Sequence, residues 1–501
     1  MPLADRQSKK IDNAACSALW ILCKGTVQGV GFRPFVYNLA RQLDLVGWVL
    51  NSTRGLEIHV EGHKADIEEF VRHLKEEPPR LARITSFESK PADCQGYSGF
   101  EIRSSTGEEK TDVLVPPDTA VCSDCRREVF DPEDRHFLYP FTNCTNCGPR
   151  FTIVRDFPYD RDNTTMSVFE MCPLCGKEYR DPTDRRFHAQ PVACPQCGPQ
   201  AVFTDNQGRV IPGDWTELFA THILEGAVIG VKGLGGFHLA CDAHNRTAVA
   251  ALRERKGRPA KPLAVMARDM DTVRQHCFAS AQEEELLTGP QAPIVVLDKA
   301  PSFNLPDNLA PNLCSLGVML PYTPLHLMLF NDNIDLLVMT SGNPSGLPLE
   351  KDNQEAVDRL GQVADYFLMH NREIENRTDD SVVRVVGGRL RFNRRSRGYV
   401  PQPITIPVDE KFPRTVLGAG GEMKNSFCIV KQDGQAYPSQ YMGEIDTLEA
   451  MENWRDSLDK FERFLEVKPD IVGYDLHPGY NSSKLAREVP AESKYAVQHH
   501  H

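Results

Sequence analysis

No stretch of this 501-residue chain approaches the roughly 20 apolar residues that a helix needs to cross a bilayer, and residues 1–14, MPLADRQSKKIDNA, lack the apolar centre of a secretion signal. Those absences point to a soluble, cytoplasmic protein with no membrane partner. Positive charge is also short. Against 69 Asp and Glu stand 57 Lys and Arg, a formal net charge of −12, so the overall electrostatics do not draw the chain to a nucleic-acid backbone. The Walker A pattern and the Rossmann glycine fingerprint are both missing. With 41% hydrophobic and 25% charged residues the composition is that of a globular protein, and the length exceeds what one core holds, so about three or four domains are expected.

What the chain does have is cysteine: 15 in all, eight of them in four C-x-x-C pairs within residues 106–205. Cys122 and Cys125 are followed after 18 residues by Cys144 and Cys147; 24 residues further come Cys172 and Cys175, and after another 18 come Cys194 and Cys197. Both halves carry D-P-x-D-R (131–135 and 181–185) and end in C-G-P (147–149 and 197–199), so the segment is an internal duplication. Two four-cysteine zinc modules follow from this pattern. Four thiolates leave no coordination position for a substrate, and a loop-rich segment of this length buries too little core to fold without metal, so the zincs are structural. Spacing alone leaves sequential pairing within each half and interleaved pairing of the halves both open. The ligand set is all cysteine and the segment carries no basic helix, unlike the common DNA-reading fingers.

Residues 15–105 show the order βαββαβ. An apolar strand at 19–24 enters the loop GTVQGVGFRP, and Phe35, Val36, Leu39, Ala40 and Leu43 recur at helical spacing. Strands at 48–50 and 56–60, a helix with Ile67, Phe70, Val71 and Leu74, and the strand-like ITSFES and FEIRS complete a ferredoxin-like pattern. Backbone N–H groups of Gln28, Gly29, Val30, Gly31 and Phe32 can converge on an anion, with Arg33 adding a guanidinium at the helix start. The same glycines would also serve a plain tight turn. GTVQGVGFRPFVYNLA together with GWVLNSTRGLEIHVEG resembles the acylphosphatase family over the whole domain. That resemblance implies that Arg33 binds the phosphoryl group of an acyl phosphate and that Asn51 orients the attacking water.

Residues 206–400 read as α/β. A strand at 227–231 runs into the glycine turn of KGLGGFHLACDA; a helix TAVAALRERKGR, the apolar KPLAVMA and the strands PIVVLD and DLLVMTSGNPSG follow. Two basic runs, 253–261 and 391–397, and the small turn 341–346 suit a triphosphate, while a solvated helix face is the plainer reading of the first run. KGLGGFHLACDA, KGRPAKPLAVM, PYTPLHLML, TSGNPSG and NRTDDSVVR together resemble the YrdC-like family, whose members form a carbamoyl-type adenylate from ATP. This implies ATP contacts, with magnesium as counter-ion, from Lys232, Arg253, Lys256, Arg258, Lys261, Ser341, Asn343 and Arg395.

The proline-rich VPQPITIPVDEKFP (400–413) reads as a linker. Beyond it lie a strand and glycine turn, a helix with the stripe Leu448, Met451, Trp454, Leu458, Phe461 and Leu465, and a strand at 471–475. GAGGEMKNS and DLHPGYNS resemble the start of a TsaD-like, actin-related domain, and residues 413–501 stop short of a complete one. By that resemblance His499 in the closing VQHHH is the first ligand of a further metal, held weakly because its partner lies beyond the end; a tag remnant is the other reading.

The fold expected is therefore multidomain, α+β and α/β: a ferredoxin-like acylphosphatase domain, two four-cysteine modules, a YrdC-like domain and a partial TsaD-like domain. That order is similar to the HypF carbamoyltransferases of nickel–iron hydrogenase maturation. The resemblance implies hydrolysis of carbamoyl phosphate, adenylation of the carbamate with ATP, and transfer to the C-terminal cysteine of HypE for cyanide synthesis, with this chain carrying only the first two steps. A small-molecule O-carbamoyltransferase shares the last two modules but not the first two, and a zinc-dependent nucleic-acid binder conflicts with the acidic balance.

Overall fold

The computed structural model describes residues 16–27, 29–52, 55–79, 81–103, 115–156, 159–407 and 412–500; Gln28 of the expected phosphate loop lies outside them. The chain divides into two compact units, Met1–Pro116 with Cys144–Asn146 and Cys172–Val192, and Pro117–Asn143 with Cys147–Met171 and Ala193–His501.

In the first unit five strands run in the order Arg83–Ala92, Ser17–Thr26, Gly55–Gly62, Val46–Ser52 and Phe100–Ile102. The first four are antiparallel to their neighbours, and the short last one lies parallel to Val46–Ser52. Helices Phe32–Gln42 and Lys64–Glu76 cover the sheet. Val36, Leu39, Ala40, Ile67, Phe70 and Leu74 meet the alternating Ile21, Val49, Ile58 and Val60 in one core. This is the split βαβ arrangement the periodicity predicts, with the strand-like FEIRS supplying the short edge strand Phe100–Ile102. Cys16 and Cys94, 78 residues apart, form a disulfide that no spacing pattern announces.

The duplication of the cysteine segment extends to its backbone. Each half opens on a short helix, Ser123–Phe130 and Pro173–Arg180. The equivalent residues Leu138 and His188 both adopt φ 51°. Each donates its N–H back to its own half's helix, to Val129 O at 2.8 Å and to Tyr179 O at 3.0 Å.

The large sheet of the second unit has eleven strands, with Phe237–Asp242, Leu336–Ser341, Val265–Ala267 and Ser315–Met319 near its middle. Leu239, Val338, Val265 and Val318 bury on one face and Ala240, Met339, Met266 and Met319 on the other. Burial on both faces is why these strands read as continuous apolar runs rather than alternating ones. Strand Ala201–Asp205 pairs with Tyr366–His370 at the sheet's edge, so these residues belong to the sheet although the sequence places them at the end of the cysteine segment.

A third sheet of six strands follows, in the order Ile404–Thr405, Gln435–Pro438, Cys428–Val430, Val416–Gly418, Ile471–Asp475 and Ser493–Val497. The expected linker is more than a linker: Ile404–Thr405 forms the edge strand, with Pro403 and Pro407 flanking it where no ladder donor is needed. Helix Leu448–Phe464 is capped by the Thr447 hydroxyl, which accepts from Ala450 N at 3.2 Å. It buries Trp454, Leu458 and Phe461 and half-buries Met451, while Leu448 at its start is exposed and departs from the predicted stripe. Among the described residues no helix is long and apolar enough to cross a membrane.

Candidate functional site

The phosphate loop is built by backbone conformation. Gly29 and Gly31 take φ 66° and 75°, which other residues adopt only at a cost, and Gly31 caps the helix that begins at Phe32. Val30 and Phe32 bury their side chains in the core, so what they offer to a ligand is main-chain N–H. Arg33 stands in the helix's first turn, where N–H groups lack intrahelical partners. Asn51 is the penultimate residue of the strand Val46–Ser52; it is buried, and its Oδ1 has no hydrogen bond among the described residues. Thr145 of the cysteine segment lies on this loop, where a Cβ added to Gly31 would sit 3.0 Å from Thr145 Oγ1, and His188 lies within reach of the Arg33 charge. Desolvation by its packing, and then the Arg33 cation, hold the His188 imidazole down to about 4. The ring is therefore neutral at pH 7.

The eight paired cysteines converge in two groups, Cys122–Cys125–Cys144–Cys147 and Cys172–Cys175–Cys194–Cys197, the sulfurs of each lying within 4.8 Å of one another. Pairing is thus sequential. The donor set fits a tetrahedral cation: Cys125 and Cys147 sulfurs are 3.4 Å apart and those of Cys194 and Cys197 3.8 Å, against about 3.8 Å around a zinc with bonds of about 2.3 Å. Cys122 caps its helix and accepts from Cys125 N at 3.5 Å, and Cys144 Sγ accepts from Asn146 N at 3.3 Å, contacts that favour thiolate.

A cavity of about 520 Å³ opens on the large sheet, lined by Arg258, Lys261, Arg384, Arg394 and Lys424 with Asp379 and Asp380. Burial and then the neighbouring Arg253 and Arg394 charges push Arg258 down to about 10; burial, Arg258 and Arg394 likewise lower Lys261. Crowded, partly desolvated cations of this kind gain stability from a polyanion. An adjoining space of about 150 Å³ is walled by Ser341, Asn343 and Gly346 on one side and Tyr441, Gly443 and Glu444 on the other.

The residues the sequence nominates for ATP separate into two groups. Arg258, Lys261, Ser341 and Asn343 line these spaces. Lys256, Arg253, Arg395 and Lys232 line neither of them. Lys256 Nζ donates to Ser341 O at 2.6 Å and to Asn343 O at 2.8 Å, clamping the turn from behind. The Arg253 guanidinium donates to the carbonyls of Asn308, Arg258, Lys261 and Leu309. Arg395 donates to Tyr399 O and Gln402 O, and Lys232 to Asn353 Oδ1 and His370 O. These four cations thus donate to main-chain and amide oxygens beside the two spaces. Glycines of KGLGGFH and of TSGNPSG permit close approach: a Cβ on Gly235 would lie 2.2 Å from Thr378 O, and one on Gly342 would lie 2.7 Å from Phe237 Cβ.

The sequence does not single out His238, Asp380, Lys424 and Tyr441. His238 lines the cavity while Tyr322 OH and its Nε2 bond at 3.2 Å; Asp380 sits 4.0 Å from its Nδ1 and accepts from Arg397 Nε at 2.6 Å. The adjacent acids of NRTDD were the available signal. His499 joins no metal-ligating group among the described residues; its Nδ1 lies 3.1 Å from Asp475 Oδ2.

Family profiles match along nearly the whole chain: Acylphosphatase over 19–102, the HypF finger over 121–154 and 171–204, the Sua5/YciO/YrdC family described as telomere recombination over 221–396, and the HypF Kae1-like domain over 411–501. The carbamoyltransferase HypF of Synechocystis sp. is 46% identical over 485 residues, covering 96% of this chain and 62% of the relative. A crystal structure of full-length HypF in a phosphate- and nucleotide-bound form superposes with TM-score 0.90 at 44% identity, over 97% of this chain and 63% of that one. HypF of T. kodakarensis gives 0.86 at 47% identity, over 97% and 62%. The chain thus spans a little under two thirds of the length of these relatives. Domain order, both four-cysteine groups and the shared fold lead to one conclusion: the chain belongs to the HypF carbamoyltransferase family.

Proposed function

We propose that this chain hydrolyses carbamoyl phosphate at residues 15–105 and adenylates the released carbamate at residues 206–400. The observation that carries the reading is the presence, in one chain, of an arginine-headed glycine loop and a cation-lined cavity large enough for a nucleotide. In the first step Arg33 and the N–H groups of Gly29, Val30, Gly31 and Phe32 hold the phosphoryl oxygens. Asn51 Oδ1 accepts a hydrogen bond from the water that attacks phosphorus. The P–O bond to the carbamoyl group breaks, its electron pair leaves on carbamate, and the water's proton passes to phosphate. Positioning and charge complementarity are most of what such a transfer requires.

In the second step a carbamate oxygen attacks the α-phosphorus of magnesium-bound ATP and pyrophosphate departs. Arg258, Lys261 and Arg394 offset the charge, and Ser341 and Asn343 contact the nucleotide. Carbamoyl transfer to the C-terminal cysteine thiolate of the acceptor HypE, and from there to a cyanide ligand, is the outcome we assign to the pathway, with residues 413–501 contributing the start of the transferring domain. Zinc in the two four-cysteine groups would fold that segment and supply no chemistry.

Release of AMP and pyrophosphate from ATP should depend on carbamoyl phosphate. ATP turnover indifferent to carbamoyl phosphate would count against the reading.

A further inference from the structure

We infer that Thr145 of the cysteine segment is a positioning residue of the acylphosphatase-like site: tied to Arg185 behind it, its side chain bears on Gly31 and keeps the phosphate loop in the shape that binds the phosphoryl group. This rests on the functional reading above and deepens it, because it makes the cysteine segment part of the hydrolytic site.

The Thr145 side chain packs directly on Gly31. A Cβ built on that glycine would meet Thr145 Oγ1 at 3.0 Å and Thr145 Cβ at 3.3 Å, with Asn146 Oδ1 at 3.5 Å. Gly31, at φ 75°, is the junction between the loop and helix Phe32–Gln42, so a side chain pressed against it fixes the angle at which the loop enters the helix. Thr145 is itself buried and tied twice to one oxygen, its N–H donating to Arg185 O at 3.2 Å and its hydroxyl to the same atom at 3.0 Å. The residue before it, Cys144, belongs to the first four-cysteine group, and Arg185 lies between Cys175 and Cys194 of the second. Both modules therefore stand behind this one contact.

The duplication supplies an internal control. Cys144 corresponds to Cys194, so the counterpart of Thr145 in the second half is Pro195, which has neither a backbone N–H nor a hydroxyl. The sulfurs of both halves converge all the same. Gathering metal ligands is thus no reason for the two donors of Thr145; what the first copy has in addition is the contact with Gly31.

The second module also follows the helix that Gly31 opens. His188 lies within reach of the Arg33 charge in its first turn, and Asp181 within reach of the Arg41 charge in its last. A loop glycine without such support samples many backbone conformations, and ordering them again on an anion weakens binding.

The test uses the whole zinc-loaded chain, with inorganic phosphate as the probe for calorimetry and with kcat and KM measured separately for carbamoyl phosphate. Thr145→Gly removes both atoms that touch Gly31, whereas Thr145→Ser keeps both. Thr145→Gly should weaken phosphate binding and raise KM about tenfold, with a smaller change in kcat, and Thr145→Ser should stand near the parent. Hydrogen exchange gives a second reading. Amides of residues 29–32 should exchange faster in Thr145→Gly while those of the strand Gly55–Gly62 keep parental rates, a split that general destabilisation does not produce. Zinc content at the parental level certifies the modules. If Thr145→Gly loses metal, Thr145→Ala decides the matter, since it loses only Oγ1 and should weaken phosphate binding in the same direction. Parental phosphate affinity in the zinc-loaded variants, or Thr145→Ser as weak as Thr145→Gly, overturns this inference alone. A parental chain that hydrolyses no carbamoyl phosphate overturns the functional reading and this inference with it.

Discussion

Arg253, Lys256 and Arg258 lie within six positions of one another and carry the same formal charge, yet their surroundings give them different tasks. Burial, and then Arg258, push the Lys256 ammonium down to about 7, and its donors hold the carbonyls of the turn at Ser341 and Asn343. Lys256→Met should therefore weaken ATP binding about tenfold, equivalent to one charge-assisted hydrogen bond, by loosening the turn rather than by removing a phosphate contact. Calorimetric titration with ATP checks this, and an unchanged affinity would show that the turn holds without its clamp. Asp380 supplies a pH prediction. Burial opposes its ionisation, but the Arg397 guanidinium prevails and holds the carboxyl at about 2. The folded value lies below the unfolded one, so the stability it contributes is present above pH 4 and is lost as pH falls toward 2. Asp380→Asn should cost about 3 kcal/mol at neutral pH by leaving Arg397 buried without its counter-charge, and should flatten that part of the acid limb in urea titrations.

At the scale of elements, legibility followed the size of the signal. Eight cysteines at repeated spacings announce two metal groups because few other arrangements use thiols that way. The choice of sequential over interleaved pairing was invisible, since it depends on how the two short helices turn. Strands buried on both faces, such as Leu336–Ser341, stand out as apolar runs. The two-residue strand Ile404–Thr405 has too few residues to show any period, and prolines on either side disguise it. The metal assignment has a direct consequence. Cys122→Ser should lower zinc from about two to about one per chain while the Cys172 group keeps its metal, and chelation of both should expose the segment to protease. Metal analysis of the purified variant checks it; loss of both zincs on one substitution would mean that the two groups fold as one.

At the scale of the whole chain, the basic runs and the turn at 341–346 could be read locally, but the cavity's far wall could not. Lys424 and Tyr441 come from the third sheet's part of the chain, and their meeting with Arg394, whose guanidinium lies 5.1 Å from the Tyr441 ring, is a product of packing between elements far apart in sequence. Division of labour between the proposed sites gives the last prediction. Arg33→Ala or Asn51→Ala should abolish phosphate release from carbamoyl phosphate without unfolding the chain, since neither group builds the core. If the released carbamate is what the second site consumes, either variant should also lose AMP formation driven by carbamoyl phosphate, yet recover it when carbamate is supplied directly from ammonia and bicarbonate. Arg258→Ala should show the converse, phosphate release intact and AMP formation lost with either carbamate source. Recovery in the first pair and none in the second separates two sites acting in series from one site doing both. AMP formation from carbamoyl phosphate that survives Arg33→Ala would mean that the second site takes its substrate without the first.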